Sequence, residues 1–382
     1  MSTEDTSRES SASEFHWGQN LSRKKLLKAA GLTAGGLAVM GPGTAGAALR
    51  RYSVSSAGPL SSKTMAVSEP LIVEAITSFA AQMAVTAKQA NAGEKVITAN
   101  SNLKAPLQHE QVASFIEKGV NGILFFLITA AGWEKDAKAA TSKGIAAFNH
   151  SASAVAGMTQ NCGLDQYGAG YGLGQVAAAW MNKYQSGTGE WGLLAITNDP
   201  QLSLRGKGIA AAMKKFAPKA KLVGTQFAQQ ETQGSSVASN FLQANPNLTM
   251  ILSAGDDPAF GAFTVATGSG KTKASEFFIG GCDGTDEALS KIAKGGIFQA
   301  TEDFLFPFSA TQLERDAEKF FRGQSIPPTR ITSPITVTAK NLKAVQALQK
   351  NPLAPNVQYV YKKYMKYSNV HLKTNEPFAR AF

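Results

Sequence analysis

Short apolar runs alternate with stretches of helical spacing along most of the chain from Lys63 onward. The runs have the length of strands, and the stretches between them place apolar residues three and four positions apart. Repeated strand–helix units of this kind predict parallel sheets covered by helices. The predicted strands are Met65–Ser68, Lys95–Ala99, Gly122–Ile128, Ile145–Phe148, Trp191–Ile196, Lys221–Thr225, Met250–Ala254 and Glu276–Gly280, and the predicted helices are Leu71–Ala90, Glu110–Lys118, Trp133–Ser142, Leu204–Phe216, Gly234–Gln243, Pro258–Ala266 and Thr285–Lys294.

These units form two consecutive sets, which predicts an α/β protein with two similar Rossmann-like lobes. Right-handed crossovers bring the carboxyl ends of the parallel strands to one edge of each sheet. Open α/β sheets bind ligands at that edge, and two-lobed chains bury them in the cleft between the lobes. The polar residues that follow the strands are therefore the first candidates for a binding site.

Both ends of the chain fall outside this pattern. Residues 1–47 combine a basic segment, Ser22–Lys28, with a short mildly apolar run and small residues at Ala45–Ala47, which predicts an export signal. The signal resembles the twin-arginine type, but Lys24 replaces the second arginine, so the export route stays open, as does a disordered N-terminal arm. Residues 48–62 have the composition of a linker, and residues 351–382 form an extension that either packs along a lobe or contacts a partner.

Composition excludes several classes of function. The formal charge of +11 comes from scattered basic residues, so we expect a solvated basic surface and no nucleic-acid binding. Cys162 and Cys282 are too few for a disulfide framework. The histidines are isolated, and neither a zinc spacing nor a hydrolase motif is present in the sequence. We therefore expect no enzymatic activity, no cofactor and no bound metal.

Polar side chains follow four of the predicted strands. Asn149 and His150 follow the strand ending at Phe148. Arg205 lies in the first turn of a predicted helix, where its charge opposes the helix dipole; a guanidinium that reaches across the cleft would justify this unfavourable position. Asp256 and Asp283 each follow an apolar strand, where a carboxylate accepts hydrogen bonds from hydroxyl groups. Each of these residues also has an alternative role that stays open: a turn or cap for Asn149, a surface position for Arg205, a loop contact for Asp256 and a structural role for Asp283.

The order of several motifs resembles the sugar-binding family of periplasmic and extracellular substrate-binding proteins, of the ribose- and galactose-binding type. The resemblance covers residues from about 63 to about 340. It rests on Asn121-Gly-Ile-Leu, Gly163-Leu-Asp-Gln-Tyr, Arg205-Gly-Lys-Gly-Ile, Asp256 with Ala259-Phe-Gly-Ala, Gly281-Cys-Asp-Gly-Thr and Gly296-Ile-Phe-Gln-Ala-Thr.

This resemblance implies two lobes joined by a multi-strand hinge, in the type I periplasmic binding protein fold. The lobes would be residues 63–164 with 305–331, and residues 165–304 with 332–350. The ligand-binding residues that it implies, together with the candidates above, are Asn149, His150, Arg205, Asp256, Asp283 and Phe304. The family often has arginine where His150 stands and usually a polar residue at Phe304, so the ligand class stays open between a sugar, an alditol and a cyclitol.

The resemblance also implies a biological role and partners. An exported monomer in the periplasm or on the outer face of the cell envelope would capture the ligand and deliver it to the permease of an ABC importer. The alternative is a sensory receptor of the same fold that docks a membrane kinase or chemoreceptor. Closure of the lobes would serve either output.

Overall fold

The computed structural model describes residues 63–381 apart from 73, 90–94, 128–129, 151–152, 355–356, 358–359, 361 and 377. The predicted export signal and linker lie outside the described residues. Among the described residues, no helix has both the length and the apolar composition that are needed to cross a bilayer.

A seven-stranded sheet organises the N-terminal lobe. Its strands are β1 (Thr64–Glu69), β2 (Lys95–Asn100), β3 (Gly122–Phe125), β4 (Ala146–His150), β5 (Gln160–Leu164), β11 (Thr329–Thr332) and β13 (Met365–Ser368). They lie in the order β13-β11-β5-β4-β3-β1-β2, and all neighbours are parallel except β13, which runs antiparallel to β11. The helices of this lobe are α1 (Glu74–Gln89), α2 (Ala105–Glu117), α3 (Glu134–Ser142) and α9 (Phe306–Phe321).

A six-stranded sheet organises the C-terminal lobe. Its strands are β6 (Glu190–Ala195), β7 (Lys221–Phe227), β8 (Leu248–Ser253), β9 (Phe278–Asp283), β10 (Phe298–Asp303) and β12 (Ile335–Thr338), in the order β12-β10-β9-β8-β6-β7. Only β12 is antiparallel to its neighbour. The helices are α4 (Gln166–Tyr184), α5 (Ser203–Phe216), α6 (Glu231–Ala244), α7 (Asp256–Gly268), α8 (Asp286–Lys294) and α10 (Leu342–Gln349).

The chain crosses between the lobes at β5–α4, at β10–α9 and at β11–β12. The first and third crossings are bonded, since the Asp165 amide donates to the Thr332 carbonyl at 2.9 Å. The second and third are also joined, because Glu302 pairs with Thr336 in the β10–β12 ladder. The predicted α/β fold with two Rossmann-like lobes and a multi-strand hinge is therefore confirmed.

Burial explains why the central strands read as continuous apolar runs. Every residue of β3 is buried, because helices cover both faces of the parallel sheet. The edge strands β2 and β7 are largely exposed and carry Lys95 and Lys221 at their starts, a composition that discourages pairing with another chain.

Several elements differ from the sequence prediction. Helix α2 begins at Ala105 rather than at Glu110, because Pro106 is well tolerated in a first helical turn. Helix α6 begins at Glu231, where Gln230 and Gln233 form a capping box, rather than at Gly234. The sequence prediction did not include helices α4 and α9, nor the strands next to the hinge, β10, β11 and β12.

Candidate functional site

The carboxyl edges of the two sheets face each other across the cleft. Ser153, three residues after β4, donates its hydroxyl to both carboxylate oxygens of Asp199, four residues after β6, at 3.2 and 3.3 Å. Both residues are at least nine-tenths buried. The loops that follow the parallel strands therefore meet, as expected for a ligand cleft in this architecture.

Arg205 is the central cation of the C-terminal side of the cleft. Its side chain lies at the start of α5 and is almost fully buried. Its Nε donates to Oε1 of Gln166 at 2.6 Å, and its Nη1 donates to the Ala254 carbonyl at 2.6 Å and to Oδ1 of Asp283 at 2.9 Å. The guanidinium is thus fixed by three acceptors, and the surface alternative for this arginine is wrong.

Asp283 closes β9 and forms an ion pair with Arg205. Its φ of 140° is rare for a residue with a side chain and costs about 1–3 kcal/mol, which the surroundings must offset. Burial raises the pKa of Asp283, while the charge of Arg205 acts in the opposite direction. Arg205 and Asp283 together present a donor fork and a carboxylate, which suits a ligand with neighbouring hydroxyl groups.

Asp256 begins α7, next to this pair, and is fully buried. Its Oδ2 accepts hydrogen bonds from the amide and hydroxyl of Thr285, and its Oδ1 accepts from the Thr301 hydroxyl at 2.7 Å. Burial, and then the negative charge of Asp283, raise the pKa of Asp256 above its ordinary value. The structure thus places Asp256 where its carboxyl group joins the segments of β8, β9 and β10, and where its amide donates to Oδ2 of Asp283 at 3.4 Å.

Phe304 follows β10 in the second crossing, and its ring lies 4.6 Å from the guanidinium carbon of Arg205. A guanidinium over an aromatic face is a favourable cation–π arrangement. Leu305, the next residue, adopts a left-handed backbone with φ 58°, which turns the chain into α9. Phe304 therefore positions Arg205 and adds an apolar surface to the cluster.

Asn149 lies near the carboxyl end of β4, in the N-terminal lobe. Its Nδ2 donates to the Ser153 carbonyl and to Oδ1 of Asn161, both at 2.8 Å, and the side chain is fully buried. The structure thus places the amide of Asn149 where it holds the loop that carries Ser153.

His150 is buried among aromatic rings. The Phe79 and Phe126 ring centroids lie 4.5 and 5.2 Å away, and Nε2 is 3.1 Å from the hydroxyl oxygen of Ser309. Burial, together with the charge of Arg330, lowers the pKa of His150 to about 3. His150 is therefore neutral at ordinary pH and belongs to an aromatic cluster.

The sequence analysis missed Ser153, Asp199 and Glu69. Asp199 obeys the same rule as Asp256 and Asp283, since it follows an apolar strand, so that signal could have found it. Glu69 ends β1, is 5% exposed, and burial raises the pKa of its carboxyl group. Its carboxyl group makes no side-chain hydrogen bond within the described part of the chain, which makes it a further candidate for the site.

A cavity of about 400 Å³ lies beside this cluster, between Ser78 and Pro307 of one lobe and Thr285, Asp286 and Gln349 of the other. None of the six predicted residues lines it. The Arg205 cluster stays the candidate site, because it joins a guanidinium, a carboxylate and an aromatic ring in contact. Within the described residues, no group of three His, Cys, Asp or Glu side chains is arranged to hold a metal ion.

Comparison with known families matches residues 70–301, more than half of the chain, to the periplasmic binding protein domain. The chain belongs to this family. The predicted resemblance is confirmed, and so is the prediction that the chain is a binding protein and not an enzyme.

One curated relative of this periplasmic binding protein is the D-apiose import binding protein of Actinobacillus succinogenes. The two are 33% identical over 110 residues, which is 28% of this chain and 34% of the relative. The aligned part thus spans about a third of the relative's length.

Solved structures share the fold of this periplasmic binding protein. A solute-binding protein from Actinobacillus succinogenes with bound D-allose has a TM-score of 0.67 at 23% identity and covers 74% of this chain and 99% of its own. A Mycobacterium smegmatis protein in complex with β-D-fucofuranose has a TM-score of 0.68 at 22% identity and covers 80% and 99%. A Bacillus halodurans protein with bound myo-inositol has a TM-score of 0.64 at 17% identity and covers 76% and 99%.

Proposed function

We propose that this periplasmic binding protein captures a small polyhydroxylated ligand, a sugar, alditol or cyclitol, between its lobes and delivers it to an ABC importer. The observation that carries the proposal is the Arg205–Asp283 ion pair, at 2.9 Å, which lies at the carboxyl end of β9, with the guanidinium against the ring of Phe304. The bound D-allose, β-D-fucofuranose and myo-inositol of the related structures support this class of ligand.

The chemistry of the cluster fits such a ligand. The guanidinium of Arg205 donates to ligand oxygens, and the carboxylate of Asp283 accepts from hydroxyl groups. The ring of Phe304 packs against the guanidinium of Arg205 and fixes its direction. A charged partner makes each hydrogen bond stronger, and closure of the lobes removes water from around it.

We also propose the export and transport roles. The protein would leave the cytoplasm under the signal in residues 1–47 and act as a monomer that the permease recognises in its closed form. The relative from Actinobacillus succinogenes is a D-apiose import binding protein, which supports transport rather than sensing.

Thermal unfolding of the full chain against D-allose, D-apiose, myo-inositol, alditols and nucleosides tests the proposal. A ligand that binds only the folded protein raises the unfolding midpoint by mass action. We expect a rise with one polyhydroxylated compound, and calorimetric titration should show that Asp283→Asn weakens its binding about 10- to 100-fold, because a charged hydrogen bond contributes about 1.5–3 kcal/mol.

Lys221→Met is the matched control, since it breaks an exposed ion pair with Glu190 in the same lobe at the same 2.9 Å. It should leave the affinity unchanged. If none of the compounds shifts the midpoint of the wild-type protein, the proposed ligand class is wrong.

A further inference from the structure

The C-terminal extension passes from one lobe to the other. Val357, Val360 and Met365 pack into the core of the C-terminal lobe. The Tyr364 carbonyl then accepts a hydrogen bond from the Ser333 amide, at 2.7 Å, in the third hinge crossing. Met365 also begins β13 of the N-terminal sheet, so the extension forms a fourth connection between the lobes.

On the N-terminal lobe, the extension is held by a strand pairing and by a small apolar cluster. Strand β13 pairs with β11, and the Thr329 hydroxyl donates to the Val370 carbonyl at 2.6 Å. Leu372 and Phe378 pack with Ala154 in a separate core cluster. The Phe378 ring lies so close to Gly163 that a Cβ there would stand 2.4 Å from the ring, which explains glycine at that position.

Two neighbouring residues of the extension bind the backbone of the loop after β4. The Ala156 amide donates to the Thr374 hydroxyl oxygen at 3.0 Å, and the Asn375 amide donates to the Ala154 carbonyl at 3.0 Å. The same Thr374 hydroxyl bonds to Glu134 at the start of α3 and lowers the pKa of that carboxyl group. Asn375 has φ 61°, a left-handed conformation that asparagine tolerates better than most residues.

The loop that is held in this way carries Ser153, which contacts Asp199 across the cleft. Residues 153–158 contain neither helix nor strand, so their backbone groups need partners from elsewhere. Asn149 and Asn161 bind three of those groups from inside the lobe, and the extension binds two more from outside. A loop fixed on both sides costs less ordering entropy when a ligand binds.

We propose that residues 362–381 form a strap that positions the cleft loop 153–157, and that Thr374 and Asn375 are its positioning residues. The ligand-binding part of this inference rests on the proposed function. The part that concerns the loop itself does not.

The test uses the full chain with Thr374→Val, which keeps the side-chain shape and removes the hydroxyl. The control is the reverse substitution at another position, Val370→Thr, which adds a hydroxyl at an exposed position of the same strap. Hydrogen exchange followed by mass spectrometry on peptides covering residues 150–160 should be at least 10-fold faster in Thr374→Val than in the wild type or the control. Glu134→Gln should keep the slow exchange, because the Ala156 bond to Thr374 survives.

Titration with D-allose, D-apiose and myo-inositol provides the second readout. We expect the compound that binds the wild type to bind Thr374→Val about 3- to 10-fold more weakly, through faster dissociation. Unchanged exchange in residues 150–160 overturns the strap, and faster exchange with unchanged affinity overturns its role in binding. If none of the three compounds binds the wild type, the proposed function fails, while the exchange result still decides whether the strap holds the loop.

Discussion

At the scale of single residues, the C-terminal lobe carries an unusual number of buried carboxyl groups. Asp256, Glu302 and Asp303 are each almost fully buried. Burial raises the pKa of all three groups, and for Asp303 it raises the pKa to about 7. Such groups accept protons more readily in the folded protein than in the unfolded chain, so they link stability to pH.

Asp303→Asn tests this link. The ordinary pKa of aspartate is about 3.9, so the stability that protonation of Asp303 contributes is complete below that value and is lost as the pH rises through about 7. The free energy of unfolding from urea titrations should therefore fall by roughly 2 kcal/mol more between pH 5 and pH 8 in the wild type than in Asp303→Asn.

The variant should keep the fold, because an asparagine oxygen still accepts from the Leu305 amide and its amide group can meet a rotated Gln349. Glu276→Gln, at an exposed carboxylate, is the control and should follow the wild type. Equal pH slopes for Asp303→Asn and the wild type would contradict the raised pKa.

At the scale of elements, the position of Arg205 depends on the close approach of α4 and α5. A Cβ at Gly170 would lie 1.8 Å from the Arg205 carbonyl, and one at Gly208 would lie 2.3 Å from the Tyr167 carbonyl. The glycines lower the intrinsic helix propensity of both segments, yet they allow the two backbones to touch. Packing thus overrides propensity in α4.

Gly170→Ala should destabilise the protein by about 1–3 kcal/mol, because the added methyl group must push the two helices apart. It should also weaken ligand binding, since Arg205 belongs to the displaced turn. Gly268→Ala, in α7, meets no atom within 4 Å and should change the stability by less than about 1 kcal/mol, in the stabilising direction. Urea unfolding followed by circular dichroism measures both, and equal stabilities of the two variants would refute the packing argument.

At the scale of the whole molecule, the relation between the lobes rests on the hinge crossings, the strap and the contact of Ser153 with Asp199. The hinge bonds join segments that are far apart in sequence, as in the bond between Asp165 and Thr332. The contact across the cleft differs from them, because it joins one loop of each lobe, and separation of those loops would break it. It therefore contributes directly to the balance between open and closed forms.

Ser153→Ala should shift this balance toward the open form. The loss of a hydroxyl that donates to a carboxylate costs about 1–2 kcal/mol, so the ratio of closed to open molecules should fall about 10-fold. Small-angle X-ray scattering should report a larger radius of gyration without ligand and a return to the wild-type value at saturation. Ser142→Ala, which removes an exposed hydroxyl from α3, should leave the radius unchanged; an unchanged radius in Ser153→Ala would show that the contact does not govern closure.

The sequence by itself determined the fold class and named the candidates for the site. The apolar run of β3 and the spacing of the helices express local periodicity, which depends on neighbours a few positions away. The same local rule identified Asp283 after β9 and, with the resemblance, Arg205 at the start of α5.

Only the tertiary structure decided which partners these residues bind. Arg205 and Asp283 are 78 positions apart, and Thr374 lies 218 positions from Ala156. No periodicity reports such pairs, because they arise from the packing of whole elements. For the same reason, the sequence could not predict the internal bonds of Asn149, the glycine contacts of α4 or the path of the strap. Each of them depends on which buried groups must find a partner once the lobes have assembled.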